Sequence, residues 1–263
     1  MKQNGLKKTW AEGGSALGMW LGTGSTSAAE TISDLSFDYI NLDLQHGIID
    51  YSDTVPLLQA MQTTSATLTA RVPWNEPGII GKVLDAGVQG VIIPMVNTPA
   101  QAEAATAACR YAPRGSRSFG PIRAARSLGP GYYPAVNDEI LCIPMIETVE
   151  ALSNLDAILD VGGIDAVYIG PADLSITLGL PPGANNPEAS FQDALAQVVE
   201  ACTARGIIAG IHSTPEWAPT RLEQGFRMVT VTSELQSLAE GANAALDAVR
   251  NADGSAAGGG SMY

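Results

Sequence analysis

Two short apolar runs in the second half of the chain each stop on an acid: Leu141-Cys-Ile-Pro-Met-Ile-Glu147 and Ala166-Val-Tyr-Ile-Gly-Pro-Ala-Asp173-Leu-Ser175. Each reads as a buried parallel strand whose end turns one carboxylate out of the sheet's carboxyl edge. Tops of neighbouring strands lie roughly 5 Å apart, so Glu147 and Asp173 can reach one cation. Two carboxylates suit Mg²⁺ or Mn²⁺, which prefer oxygen ligands and leave the other octahedral positions to water and substrate. Zinc fits less well, because no His/Cys cluster accompanies them. The competing reading is that each acid caps the helix it precedes.

The other polar residues at strand ends are few: Asp43, Gln45 and His46 after the second strand, and Arg71 on the third. A guanidinium in an otherwise apolar strand needs an anion or an oxygen-rich partner, either a substrate or a carboxylate such as Asp43. His46, followed by Gly47, is a candidate acid/base group. His212 also ends a strand, but Ser213-Thr-Pro beyond it reads as ordinary helix capping. The Gly170-Pro-Ala-Asp173 turn has a second use, since the Ala172 and Asp173 amides open the next segment and can face an anion. A carboxylate seated there while chelating the adjacent metal describes a 2-oxo acid such as pyruvate. A phosphate is less well served, because Ser213-Thr-Pro-Glu and Thr232-Ser-Glu lack the glycines of a barrel phosphate cradle. A lysine nucleophile has no strand-end candidate: beyond the N-terminal segment only Lys82 occurs, inside a predicted helix.

These residues must be positioned by a repeating frame. Strands are predicted at residues 17–22, 39–45, 66–72, 90–96, 141–147, 166–173, 207–213 and 227–233, each followed by a helical segment. Gly87 stands where a C-cap glycine belongs, and Pro99 at a first-turn position. The rhythm breaks at residues 111–137, a Gly/Pro/Arg-rich stretch read as a long functional loop, and again at 178–186. Eight βα units predict a parallel sheet closed into a single-domain (β/α)₈ barrel over residues 1–250, with active-site residues at the carboxyl ends of the strands. An open doubly wound sheet is the competitor, but Gly22-Thr-Gly24-Ser-Thr-Ser lacks the third glycine of a dinucleotide turn. Residues 251–263 are Gly-, Ser- and Ala-rich and are expected to be disordered.

A formal charge of −13 over 263 residues argues against electrostatic binding to nucleic acid or an anionic membrane surface. Cys109, Cys142 and Cys202 are an odd number without CxxC spacing, which fits a reducing cytoplasm better than a disulfide framework. The lysine-bearing N-terminus is followed by no long apolar run, so neither a signal peptide nor a membrane span is expected.

From about Leu17 to Arg250 the chain resembles the HpcH/HpaI aldolase family, the metal-dependent pyruvate aldolases acting on 4-hydroxy-2-oxo acids. The resemblance is carried by Asp43-Leu-Gln-His-Gly47, Arg71, Val91-Ile-Ile-Pro-Met-Val96, Arg123-Ala-Ala-Arg126, Met145-Ile-Glu147 and Gly170-Pro-Ala-Asp-Leu-Ser175. It implies that Glu147 and Asp173 hold Mg²⁺, Mn²⁺, Co²⁺ or a similar ion, which chelates pyruvate, and that Arg71 contacts the keto oxygen as the carbon–carbon bond breaks. His46, oriented by Asp85, would be the base for the C4 hydroxyl, directly or through a metal-bound water. Trp20, Gln45, Gly170, Ala172 and Asp173 would line the substrate, with Asp43 behind them and Arg123 serving the aldehyde half. Several family members carry Glu where this chain has Gln45, so their metal preference does not transfer automatically. The resemblance also implies a homo-hexamer in which a neighbouring subunit completes the site. A citrate-lyase-β-like enzyme with the same metal site and a CoA ester substrate is the alternative, with Arg114, Arg117, Arg123 and Arg126 the only basic group for its phosphates.

Overall fold

The computed structural model describes residues 1–255. The chain opens with helix α1 (Gly5–Ala11), whose first amides are capped by the Asn4 side chain. Four βα units follow: β1 (Ala16–Leu21) with α2 (Thr26–Ser33), β2 (Tyr39–Asp43) with α3 (Tyr51–Ala60), β3 (Thr67–Arg71) with α4 (Pro77–Ala86), and β4 (Gly90–Ile93) with α5 (Pro99–Cys109). Local chemistry sets the helix ends. Asp50 and Asp53 form a capping box on α3, as do Thr98 and Gln101 on α5. Gly87 ends α4 with φ of 113°, the left-handed conformation that a side chain resists.

The stretch at 111–137 carries two short helices, α6 (Ala124–Ser127) and the start of α7 (Tyr132–Glu139), where sequence periodicity predicted only loop. After β5 (Leu141–Pro144), the helical segment expected behind it is two helices, α8 (Val149–Ser153) and α9 (Leu155–Leu159). They are parted at Asn154, whose side chain donates to the Asn97 carbonyl. Then come β6 (Ala166–Ile169), α10 (Pro171–Thr177), α11 (Ala189–Arg205), β7 (Ile208–His212), α12 (Ala218–Glu223), β8 (Met228–Ser233) and α13 (Glu234–Ser255). Residues 251–255 are thus helical; the rest of the expected disordered tail, 256–263, lies outside the described residues.

All ladders are parallel, and the eight strands run in the order β5-β4-β3-β2-β1-β8-β7-β6. The two end strands meet through a Met145–Tyr168 bridge, with the Ile146 amide donating to the Tyr168 carbonyl at 2.9 Å. An open sheet would keep its end strands apart, so this contact closes the barrel. Inside, Tyr39 and Tyr168 both bond the Thr230 hydroxyl, and Trp20, Ile92, Ile143 and Met145 fill the interior. Between strands and helices lies the larger apolar layer, built from residues such as Ile40, Leu57, Val83, Val91, Val167 and Val198. This closing seam, between β5 and β6, is the one that carries Glu147 and Asp173 at its top.

Candidate active site

At the carboxyl ends of the strands a cavity of about 610 Å³ opens, bounded by Trp20, Asp43, His46, Arg71, Tyr168, Gly170, Ala172, Asp173 and His212 among others. Its geometry starts from Asp43, the last residue of β2. The Asp43 carboxylate takes both Nε (2.9 Å) and Nη2 (2.7 Å) of Arg71, the last residue of the adjacent β3. Asp43 Oδ1 also accepts from the Gln45 and His46 amides, which folds the chain into the turn that presents His46. Burial pushes the Asp43 carboxyl up, but Arg71 and these two amides outweigh it and hold it below the usual carboxylate range. Gly47 closes the turn by contact: a Cβ there would lie 2.2 Å from the Asp43 carbonyl oxygen. The Arg71 guanidinium, fixed by this fork, lies 4.5 Å from the Trp20 ring centroid, so β1 holds it from the other side.

Glu147 follows β5 and is 2 % exposed. Its Oε1 accepts from the Met95 amide at 2.8 Å, and Met95 is the one non-glycine residue with positive φ, 56°, among the described residues. Backbone strain after β4 therefore aims a donor at the carboxylate. Its Oε2 lies against Gly170, where a Cβ would sit 2.3 Å away. A side chain at position 170 would displace the Glu147 carboxylate from this place. Asp173, in the first turn of α10, is half-buried and faces the cavity. Burial, and next the charge of Asp173, push the Glu147 carboxyl up to about 7, against the pull of the Met95 amide and Arg71. Two close acids without a matching cation fit a hard divalent ion, which supplies the missing charge through oxygen ligands. Among the described residues no three or more His, Cys, Asp or Glu side chains gather, so the protein would offer two ligands and leave the others to substrate and water.

Three expected site residues stand elsewhere within one chain. Asp85 lies at the C-terminal end of α4 and accepts from Arg117 at 2.6 Å, on the side of the barrel away from the His46 turn. Arg123 donates to the Ala86 and Leu58 carbonyls at 2.5 and 3.1 Å, capping the ends of α4 and α3 rather than facing the cavity. A helix running back along the barrel ends at the strands' amino edge, so groups at that end cannot reach the carboxyl edge. Gln45 supplies its amide to Asp43, and its side chain is absent from the cavity wall. His212 is the opposite case: read as part of a helix cap, it forms the cavity wall at the top of β7, edge-on to Trp20 at 5.0 Å. Burial, and next Arg71, push its imidazole down to about 4. Met95 carried no signal at all, since neither glycine nor asparagine marked its left-handed turn.

Fold and site together define a (β/α)₈ barrel whose carboxyl-end cavity is lined by Asp173 and the forked Arg71, with the buried Glu147 carboxylate behind Gly170. The sequence profile of the HpcH/HpaI aldolase/citrate lyase family matches residues 16–241, and the chain belongs to that family. The chain is 40 % identical over 240 residues to a hydroxypyruvate/pyruvate aldolase of Rhizorhabdus wittichii, covering 91 % of this chain and 96 % of that one. It is 36 % identical over 247 residues to a 4-hydroxy-2-oxo-heptane-1,7-dioate aldolase of Salmonella paratyphi C, covering 92 % and 93 %. The crystal structure of an HpcH/HpaI aldolase/citrate lyase family protein from Burkholderia cenocepacia J2315 superposes with a TM-score of 0.87 at 28 % identity, covering 94 % and 99 %.

Proposed function

We propose that the protein reversibly cleaves 4-hydroxy-2-oxo acids to pyruvate and an aldehyde, with a divalent ion, Mg²⁺ or Mn²⁺ or another such as Co²⁺, held by Glu147 and Asp173. The observation that carries this reading is the buried Glu147 carboxylate, close enough to feel the charge of Asp173, which lines the same cavity as the Arg71 guanidinium. The ion supplies Lewis-acid polarisation of the 2-oxo group. Pyruvate's carboxylate lies against the first-turn amides of Ala172 and Asp173, which have no helical acceptor, with Gly170 leaving room for Glu147. Arg71, preorganised by Asp43 and Trp20, stabilises negative charge growing on the keto oxygen. His46 stands exposed at the cavity rim, free to take the C4 hydroxyl proton.

Asp85 and Arg123 belong to such a site only if a second subunit brings them there. Homo-oligomerisation, to a hexamer by family resemblance, is supported by α13. Leu235, Leu238, Leu246 and Val249 are all at least half exposed on one chain. At 100° per residue they fall within about 80° of arc, a stripe with no cover in the monomer. A CoA ester finds less support: Arg114 pairs with Asp138, Arg117 with Asp85, and Arg123 is spent on helix carbonyls. A cytoplasmic location is proposed on the three buried, unpaired cysteines.

The test is formation of the aldol product from pyruvate and glycolaldehyde before and after EDTA, then after Mn²⁺, Mg²⁺ or Co²⁺ is restored. Activity lost with the metal and regained with it is expected; product undiminished after thorough metal removal would contradict the reading.

A further inference from the structure

The residues given roles in pyruvate binding and bond cleavage sit at the ends of β1, β2, β3, β5 and β6. The rest of the cavity extends toward β7 and β8, where it is lined by His212, Ser233, Glu234 and Leu235 together with residues 182–184. With the pyruvate half fixed at Asp173 and Arg71, this is the space left for the aldehyde half, an assignment that rests on the aldolase reading.

Glu234, the first residue of α13, is 8 % exposed, and its Oε1 is buried with no hydrogen-bond partner. A buried carboxylate oxygen without a donor is costly, and a ligand that brings an O–H to it recovers the loss. The imidazole of His212, which lines the same cavity, carries no charge at neutral pH. Among the described residues lining the cavity, Arg71 is the one guanidinium or ammonium, and its Nε and Nη2 are already given to Asp43. A substrate carboxylate on this side would meet a like charge with no cation of the same chain's lining to balance it, whereas a hydroxyl would meet an acceptor.

We infer that this half of the cavity takes an uncharged, hydroxyl-bearing aldehyde, and that Glu234 is the specificity residue that accepts from its hydroxyl. A site built to bond a hydroxyl discriminates strongly against the analogue that lacks it.

The experiment measures kcat/KM at saturating pyruvate and Mn²⁺ for glycolaldehyde, for propionaldehyde, which replaces the hydroxyl by a methyl, and for succinic semialdehyde, which carries an anion. Wild-type enzyme is expected to favour glycolaldehyde over each of the others by about 10-fold or more. Glu234→Gln removes the charge and is expected to lower the glycolaldehyde to succinic semialdehyde ratio by about 10-fold, with Glu234→Asp between the two. Succinic semialdehyde equalling or exceeding glycolaldehyde in the wild type would overturn the inference, and so would an unchanged ratio in Glu234→Gln. Should that variant fail to fold, the wild-type series and Glu234→Asp decide. The aldolase reading fails differently: no aldehyde yields product, and wild-type enzyme with Mn²⁺ leaves the pyruvate methyl protons unexchanged.

Discussion

Glu147 shows how one side chain is tuned by its surroundings. Burial and the neighbouring Asp173 raise its pKa to about 7, above the ordinary carboxylate value. A carboxyl whose folded pKa is raised binds more protons folded than unfolded between those two values, so it costs stability as pH rises through them. A bound divalent ion reverses this by favouring the anion, and its binding releases the proton. The expected outcome is that Mn²⁺ raises the melting temperature more at pH 8 than at pH 5, read by calorimetry of the EDTA-treated protein with and without metal. His212 disfavours its charged form for the same reason, burial, but as a base it loses stability in the opposite direction of pH. Its imidazole is held near 4 by burial and Arg71, so the folded chain refuses a proton the unfolded chain takes, and stability falls as pH drops from about 6.5 toward 4.

At the scale of elements, the wall formed by residues 182–184 is held from behind. Arg221 of α12 is fully buried, with Nη2 donating to Asn185 Oδ1 at 2.6 Å and Nη1 to Gln224 Oε1 at 2.8 Å. Gln192 of α11 donates to the Asn186 carbonyl at 2.6 Å in the same network. Arg221 has no acidic partner there, and burial lowers its pKa. Replacing it removes a desolvated charge together with the loop's support, and the first effect offsets part of the second. Arg221→Met is therefore expected to move the melting temperature by about 4 °C or less while raising the KM for the aldehyde several-fold. Unchanged KM values in steady-state kinetics would show that the network does not position the wall.

Much of the element plan is legible in the sequence, because buried parallel strands read as short apolar runs and Gly87, Pro99 and Ser25 punctuate the helices. Glu147, Asp173, Arg71 and His46 are legible for a related reason: polar residues ending such runs are rare, and the barrel sends them all to one rim. Asp85 and Arg123 sit on helix and loop segments, where sequence position says nothing about which end of the barrel they face. His212 is obscured by the Ser-Thr-Pro that follows it, since helix capping explains the same residues. The split at Asn154 and the strain at Met95 arise from contacts with other segments, Asn97 and Glu147, that no local pattern encodes.

For the whole molecule, the apolar stripe of α13 is the feature a monomer leaves unexplained. A second copy covering it would also be the means of bringing a foreign segment to the site rim, since α13 starts at Glu234 on the cavity wall. Leu238→Lys places a charge within that stripe. It is expected to lower the oligomer mass measured by light scattering at micromolar protein; an unchanged mass would remove α13 from the interface.

On the proposed reading, Glu147 and Asp173 together hold the ion that activates pyruvate. The most direct measurement is exchange of the pyruvate methyl protons into D₂O, followed by NMR as EDTA-treated protein is titrated with Mn²⁺, alongside Mn²⁺ binding by Glu147→Gln and Asp173→Asn. Exchange that saturates with one ion per site in the wild type, and is lost with ion binding in both variants, is the predicted result. Exchange that proceeds without metal, or variants that bind Mn²⁺ as tightly as the wild type, would contradict it.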